Sequence, residues 1–203
     1  LVDQGDGGSS FVERALAISA TPRMDVAVRT PPLRIADLER AYYHDHSLTI
    51  AQHPSETDER MMVRLLAFAL HASEELKFTE GVSADDDEPD IWQKSLSGGI
   101  EIWIEVGLPD EKRIRKACNR AEMVYIYPYG GRTVQTWWQP IAEKLARHKN
   151  LKVIALPQAA TRSLGEMARK TMTLQCTIQD GQIWIGDDTN NVLIEPEPLL
   201  GAV

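Results

Sequence analysis

The stretch Glu88–Lys116, EPDIWQKSLSGGIEIWIEVGLPDEKRIRK, constrains the fold of this chain more than any other. Two runs rich in β-branched and aromatic residues flank a Ser/Gly turn, and a helical pattern follows at once. The segment therefore reads as strand, tight turn, strand, helix. A two-residue loop centred on Ser97 and Gly98 places Leu96 opposite Gly99, Trp92 opposite Trp103, and Asp90 opposite Glu105. Opposed residues of an antiparallel pair share a face, about 5 Å apart at Cβ. Two carboxylates held that close repel each other unless a cation sits with them, so Asp90 and Glu105 form a candidate divalent-metal pair. The register decides this, because a three-residue loop would send the two to opposite faces.

The rest of the chain frames that unit. Residues 1–22 are Gly- and Ser-rich and are expected to be a disordered tail or an expression remnant, with ALAISA too short and too polar for a secretory core. Residues 23–195 read as a single domain and 196–203 as a C-terminal tail that lies over the surface or frays. MDVAVRT alternates like a strand and ends at Pro31-Pro32, and LRIADLERAYY and HDHSLTIAQH supply one or two more. His44 and His46 share one strand face; surface or hydrogen-bonded histidines explain them better than a metal pair. Ser55 is the expected N-cap of an amphipathic helix with Asp58 completing a capping box, and Met62, Leu65, Leu66 and Ala69 form its apolar stripe. Glu59 falls at the margin of that stripe, where it either bends to solvent or finds a cation, a hydrogen-bond network or a metal-bound water.

Asp85, Asp86 and Asp87 lack calcium-loop spacing and read as a solvated charge run. After the hairpin, Ile100, Ile102, Ile104 and Val106 alternate with Glu101, Trp103 and Glu105, which suits a central strand covered on both sides. A helix capped near Pro109 or Asp110 follows. Ile114, Ala117, Cys118 and Ala121 make its apolar stripe, and Arg113, Lys116 and Arg120 an adjacent basic row suited to phosphate contacts. EMVYIYPY, TVQTWWQPIAEKLARH and LKVIALP read as strand, helix, strand, a right-handed parallel crossover in which Trp137 and Trp138 pack the helix. A short helix around Leu164–Arg169 precedes a hairpin turning at Asp180-Gly181. The fold class is α/β (α+β), one mixed sheet flanked by helices, with a small second sheet from the N- and C-terminal strands. Cys118 and Cys176 read as small core residues of a reduced compartment, which leaves the cytoplasm as the default address. No apolar run spans a membrane, and a net charge of −8 argues against a broadly basic nucleic-acid binder while leaving room for a local basic cleft. A monomer is the default.

HPSETDERMMVRLLAFAL, GVSADDDEP, GIEIWIEVGLPDEKRIRKAC, TWWQ and TMTLQCTIQDGQIWIGDD together resemble the YaeQ family of bacterial proteins, over roughly Leu33 to Leu193. The stretch before Leu33 departs from the family pattern, which leaves the register of the first strand open. The resemblance implies a variant of the PD-(D/E)XK, restriction-endonuclease-like fold. Carried over by position, Glu59 is the helix acid, Asp90 the strand aspartate after Pro89, and Glu105 the third-strand acid. Gly107 stands where the motif has lysine, so a basic residue of the next helix, Lys116 or Lys112, would have to serve. The implied function is a Mg2+-dependent phosphodiesterase on nucleic acid, with Asp90 and Glu105 on the metal, Glu59 acting through water, Lys116 orienting the attacking water, and Arg113 and Arg120 holding the backbone. The alternatives are a nuclease-fold module that binds nucleic acid or protein without chemistry, and a regulatory protein whose carboxylates are locked in a structural network with Lys or Arg.

Overall fold

The computed structural model describes residues 27–79 and 88–201, so the acidic run at 85–87 and the expected tail at 1–22 lie outside the described residues. In chain order the elements are β1 (Ala27–Arg29), β2 (Pro32–Asp37), β3 (Tyr42–Ser47), β4 (Ile50–Gln52), α1 (Asp58–His71), β5 (Lys77–Phe78), β6 (Ile91–Lys94), β7 (Ile100–Val106), α2 (Glu111–Arg120), β8 (Ala121–Tyr127), α3 (Arg132–Trp138), α4 (Ala142–Leu145), β9 (Leu151–Ala155), α5 (Gln158–Met167), β10 (Leu174–Gln179), β11 (Gln182–Gly186), β12 (Asn191–Ile194) and β13 (Glu197–Leu200). They build a mixed α+β architecture. A six-stranded sheet runs β13-β9-β8-β7-β6-β5, a five-stranded sheet runs β12-β11-β10-β2-β3, and β1 pairs with β4. The second sheet joins the two ends of the chain as expected, with β10 parallel to β2. The expected crossover is present as β8 parallel to β9.

Helix α1 is the centre of the molecule. Every residue from Met61 to Ala69 is buried, Arg64 included, so the helix is enclosed on all sides and not by one stripe. The core around it draws Leu33, Ile35, Cys176 and Ile185 from the second sheet and Ile91, Ile104 and Val106 from the first. A separate core on the far face of the six-stranded sheet gathers Trp103, Val124, Ile126 and Val153 under Ile114, Ala117 and Leu145. Strand β7 thus lies between two apolar layers, as its bulk on both faces requires.

Several expectations are corrected. The N-cap of α1 is Thr57, whose hydroxyl accepts from the Arg60 N–H, while Ser55 is taken up by the His53 ring. Pro140 divides the expected long helix after β8 into α3 and α4. Helix α5 begins at Gln158, six residues before the expected start, because Pro157 seeds its first turn. The segment after Asn190 does not fray: Val192 and Leu193 sit in β12 on the second sheet, and Pro198 in β13 pairs with Ile154 of β9, so the expected tail from residue 196 closes an edge of the first sheet. His44 and His46 stack with Tyr42, and His46 meets the edge of Phe68.

The hairpin itself is corrected twice, and the corrections cancel. Ser95 donates to Gly99 O and Gly98 donates back to Ser95 O, so the loop has three residues, Leu96, Ser97 and Gly98. Leu96 is fully exposed and does not face Gly99. The register then shifts between Gln93 and Lys94, leaving Glu101 as a bulged extra residue. One residue gained in the loop and one absorbed in the strand restore Trp92 opposite Trp103 and Ile91 opposite Ile104, where the ladder ends; the Asp90 N–H then donates to Ile104 O, one residue short of the expected Glu105. Gly98 sits at φ +87°, a left-handed conformation that costs an L side chain about 1 kcal/mol or more. Gly98→Ala is expected to lower stability by that amount in chemical denaturation, although nothing crowds its Cβ; an unchanged midpoint would show that the loop has some other conformation.

Candidate functional site

The two acids are placed by the sheet ladder. Pro89 has no N–H to give, and its carbonyl is taken by the Thr79 hydroxyl. The Val106 N–H therefore lacks the backbone acceptor that a continuing ladder would offer, and Asp90 Oδ2 accepts it at 2.8 Å. Asp90 Oδ1 accepts from the Arg60 guanidinium at 2.7 Å. Glu105, 4% exposed, projects beneath α2 beside Trp103, whose indole N–H donates to Oε1 at 2.8 Å. Arg113 Nε donates to the same oxygen at 2.9 Å, and a second Arg113 nitrogen reaches Oε2 at 3.2 Å. The two carboxylates are thus each claimed by a different helix, Asp90 by α1 and Glu105 by α2.

They still interact. Burial first, and then the Asp90 charge, push the Glu105 carboxyl up to about 7, against the lowering pull of Arg113 and the Trp103 N–H. Behind Asp90 lies an ordered lattice. Glu56 accepts from Arg60 at 2.9 Å and from Arg64 at 3.0 Å. Arg64, 6% exposed, also donates to Ala51 O, while its Nε N–H is buried without a partner, 3.8 Å from Asp90 Oδ1. Among the described residues, ion pairs tie Glu56, Asp90 and Glu105 to Arg60, Arg64 and Arg113. Removing one partner of such a buried pair typically costs about 3–5 kcal/mol, since it strands the other charge.

The remaining expected site residues are spread around this centre. Glu59 is half-buried and finds a hydrogen-bond partner, the Thr161 hydroxyl of α5, at 2.7 Å. It lies within electrostatic reach of Tyr129, whose hydroxyl is pushed up in pKa by burial first, against the Arg60 charge and with the charges of Glu59, Glu56 and Asp90. Lys116 is half-buried on α2, and the Arg120 guanidinium lies over the Trp103 ring, 5.5 Å from its centroid. Gly107 turns the chain at φ +103°, and a Cβ there would meet nothing within 4 Å. Sequence reasoning missed Glu56, Arg60 and Arg64, although their spacing of four places them in one row along a helix face. Tyr129 carried no sequence signal.

The acids suit a hard cation, and Mg2+ is commonly held by one or two carboxylates with water completing its shell. Among the described residues there is no group of three or more His, Cys, Asp or Glu side chains placed to hold a metal, and Asp90 and Glu105 are the two that would hold an ion here. That donor set fits Mg2+ in charge and hardness, and the mutual repulsion of the two carboxylates is what a dication would relieve. No helix of the described residues is long and apolar enough to cross a membrane.

Comparison with known proteins places the molecule. The chain is 50% identical over 163 residues to the YaeQ protein of Salmonella typhi, covering 80% of this chain and 90% of that one. It is 49% identical over 160 residues to the YaeQ protein of Escherichia coli, covering 79% and 88%. The crystal structure of YaeQ from Xanthomonas axonopodis pv. citri superposes with a TM-score of 0.83 at 45% identity, covering 87% of this chain and 99% of that one. The Pseudomonas syringae YaeQ structure gives 0.82 at 33% identity, covering 87% and 97%. The family model for the YaeQ protein matches residues 24–196, and the chain belongs to the YaeQ family.

Proposed function

We propose that this YaeQ-family chain is a divalent-metal-dependent phosphodiesterase on nucleic acid, built on a variant of the PD-(D/E)XK fold and working in the cytoplasm. One observation carries the reading: Asp90, bonded through its N–H to Ile104 O, lies beside the end of β7 that carries Glu105, close enough for its charge to alter the acidity of Glu105. These two would hold Mg2+, which supplies an acidified water and charge neutralisation at the phosphate. The chain's own residues prepare that place. Arg113 and the Trp103 N–H orient Glu105 and favour its ionised form. Arg60 and the Val106 N–H fix Asp90. We assign Lys116 to orienting the attacking water, Glu59 to acting through a water, and Arg113 and Arg120 to the strand's phosphates.

A metal worth several kcal/mol to the transition state is worth on the order of a thousandfold in rate. Asp90→Asn and Glu105→Gln are each expected to lose that much Mg2+-dependent cleavage of single- or double-stranded substrates. In the wild type, Mg2+ is expected to shift the amide resonances of Asp90 and Glu105 selectively. Variants that cleave as the wild type does would remove the acid pair from the chemistry.

A second reading is favoured by the ion pairs that tie Glu56, Asp90 and Glu105 to Arg60, Arg64 and Arg113 among the described residues, a structural network of carboxylates with arginine. On that reading the protein is a nuclease-fold interaction module. Mg2+ then leaves the Asp90 and Glu105 amides unmoved, carboxylate substitutions affect stability alone, and charge reversal at Arg113 and Arg120 abolishes partner binding.

A further inference from the structure

We propose that Arg60 and the Tyr129 hydroxyl form a phosphate subsite over Gly107, beside the acid pair, that takes one phosphodiester of a nucleic-acid strand. The inference rests on the reading above and names the groups that would hold its substrate.

Three guanidiniums stand near the acids, and their exposure separates them. The Arg64 side chain is 7% exposed and spends its NH1 on Glu56 and the Ala51 carbonyl. Arg113 is 23% exposed, grips Glu105 with two nitrogens and also donates to Glu88 O. Arg60 is 35% exposed. One of its terminal nitrogens goes to Glu56 and the other to Asp90, while its Nε has no acceptor among the described residues. The nitrogen on Asp90 also lies 3.5 Å from the Val106 carbonyl, which sets the cation against the peptide that leads into Gly107. There the space is open, as the uncrowded Cβ position of Gly107 shows. The Gly107 N–H donates to Tyr127 O, which ties this turn to the end of β8 and brings the Tyr129 loop beside it. Tyr129 is half-buried, and its hydroxyl has no hydrogen-bond partner among the described residues. The Arg60 Nε N–H and the Tyr129 O–H, on the two segments that Gly107 ties together, are donors of the kind that meet the non-bridging oxygens of a phosphodiester. Glu56, Glu59 and Asp90 surround the place and oppose an anion. Occupancy is therefore expected to strengthen when a divalent cation is present.

The test uses the full chain and a short fluorescein-labelled single-stranded DNA with cleavage-resistant phosphorothioate linkages, followed by anisotropy with Mg2+ and with EDTA. Loss of a charge-assisted hydrogen bond weakens binding about tenfold or more, so Arg60→Gln is expected to show at least that loss and Arg60→Lys much less. Tyr129→Phe is expected to weaken binding by roughly threefold to tenfold. Because the Tyr129 hydroxyl has no hydrogen-bond partner among the described residues, that variant remains decisive even where Arg60→Gln does not fold. Arg34→Gln, far out on the second sheet, is expected to bind as the wild type. Wild-type affinity in Tyr129→Phe, or in a folded Arg60→Gln, overturns the subsite, as does a wild type that does not bind the strand at all. An unmodified strand separates the two proposals: binding that depends on Arg60 and Tyr129 without cleavage keeps the subsite and sinks the phosphodiesterase reading. Cleavage that neither substitution affects does the reverse.

Discussion

Valine in place of Gly165 is expected to melt the protein several degrees below the wild type. Gly165 lies on the face of α5 that packs against the first turn of α1. A Cβ there would come within 3.0 Å of Glu59 Cα and 3.1 Å of Glu59 N. These are backbone atoms, so no side-chain rotation relieves the contact and one helix must move. Overpacking of this kind costs about 1–3 kcal/mol, with valine near the upper end. Alanine recovers up to about 1 kcal/mol through its helix propensity, so Gly165→Ala is expected to be milder. For a chain of this size each kcal/mol shifts the melting temperature by roughly 2–4 °C. The consequence reaches the site, because the same close approach carries Thr161 to Glu59. Thermal denaturation followed by circular dichroism reads the result. A valine variant that melts with the wild type would mean that the two helices are not in contact at this glycine.

The second large effect is a loss of stability on mild acidification, driven by His71. Its ring nitrogen lies 2.6 Å from the Tyr127 hydroxyl at the end of α1, and its face packs on Tyr125, with ring centroids 4.0 Å apart. Burial, with smaller contributions from the Arg40 and Lys152 charges, pulls its pKa from 6.5 down to about 3. The unfolded chain therefore binds a proton that the folded chain refuses. The stabilisation is complete above the unfolded value and is lost as pH falls from 6.5 towards 3. At about 1.36 kcal/mol per unit, roughly 2 kcal/mol has gone by about pH 5. His46 and His148, also lowered by burial, act in the same sense. Glu105 acts in the opposite sense: its raised pKa means that the folded chain takes up a proton first, and stability falls as pH rises from 4.5 towards about 7. His71→Gln keeps a hydrogen-bonding group for the Tyr127 hydroxyl and removes the titration. Urea denaturation at a series of pH values without metal is expected to show most of the wild-type acid slope missing in this variant. An unchanged slope would place the lability elsewhere.

What the sequence determined was local and periodic. Alternation marked the strands, the Asp180-Gly181 turn marked its hairpin with both residues at positive φ, and Asp110 capped α2 because a short acceptor side chain can bind the free N–H groups of a first turn. It also determined that Trp92 opposes Trp103, though by a loop count and a strand bulge that each differ from the simplest reading by one residue. Parity survives two compensating shifts, and a period of two records nothing else. Only the tertiary structure decided what surrounds Asp90 and Glu105. Helix α1 carries Arg60 and Arg64 to Asp90 across roughly thirty residues of chain, an approach fixed by the burial of the whole helix between two sheets. Tyr129 comes beside Gly107 because parallel strands end together, and β13 closes the first sheet because an open edge seeks a partner. Spacing along the chain determines which residues share a face. Which face meets which is settled by packing against elements distant in the sequence, and the surroundings of Asp90 and Glu105 are of that second kind.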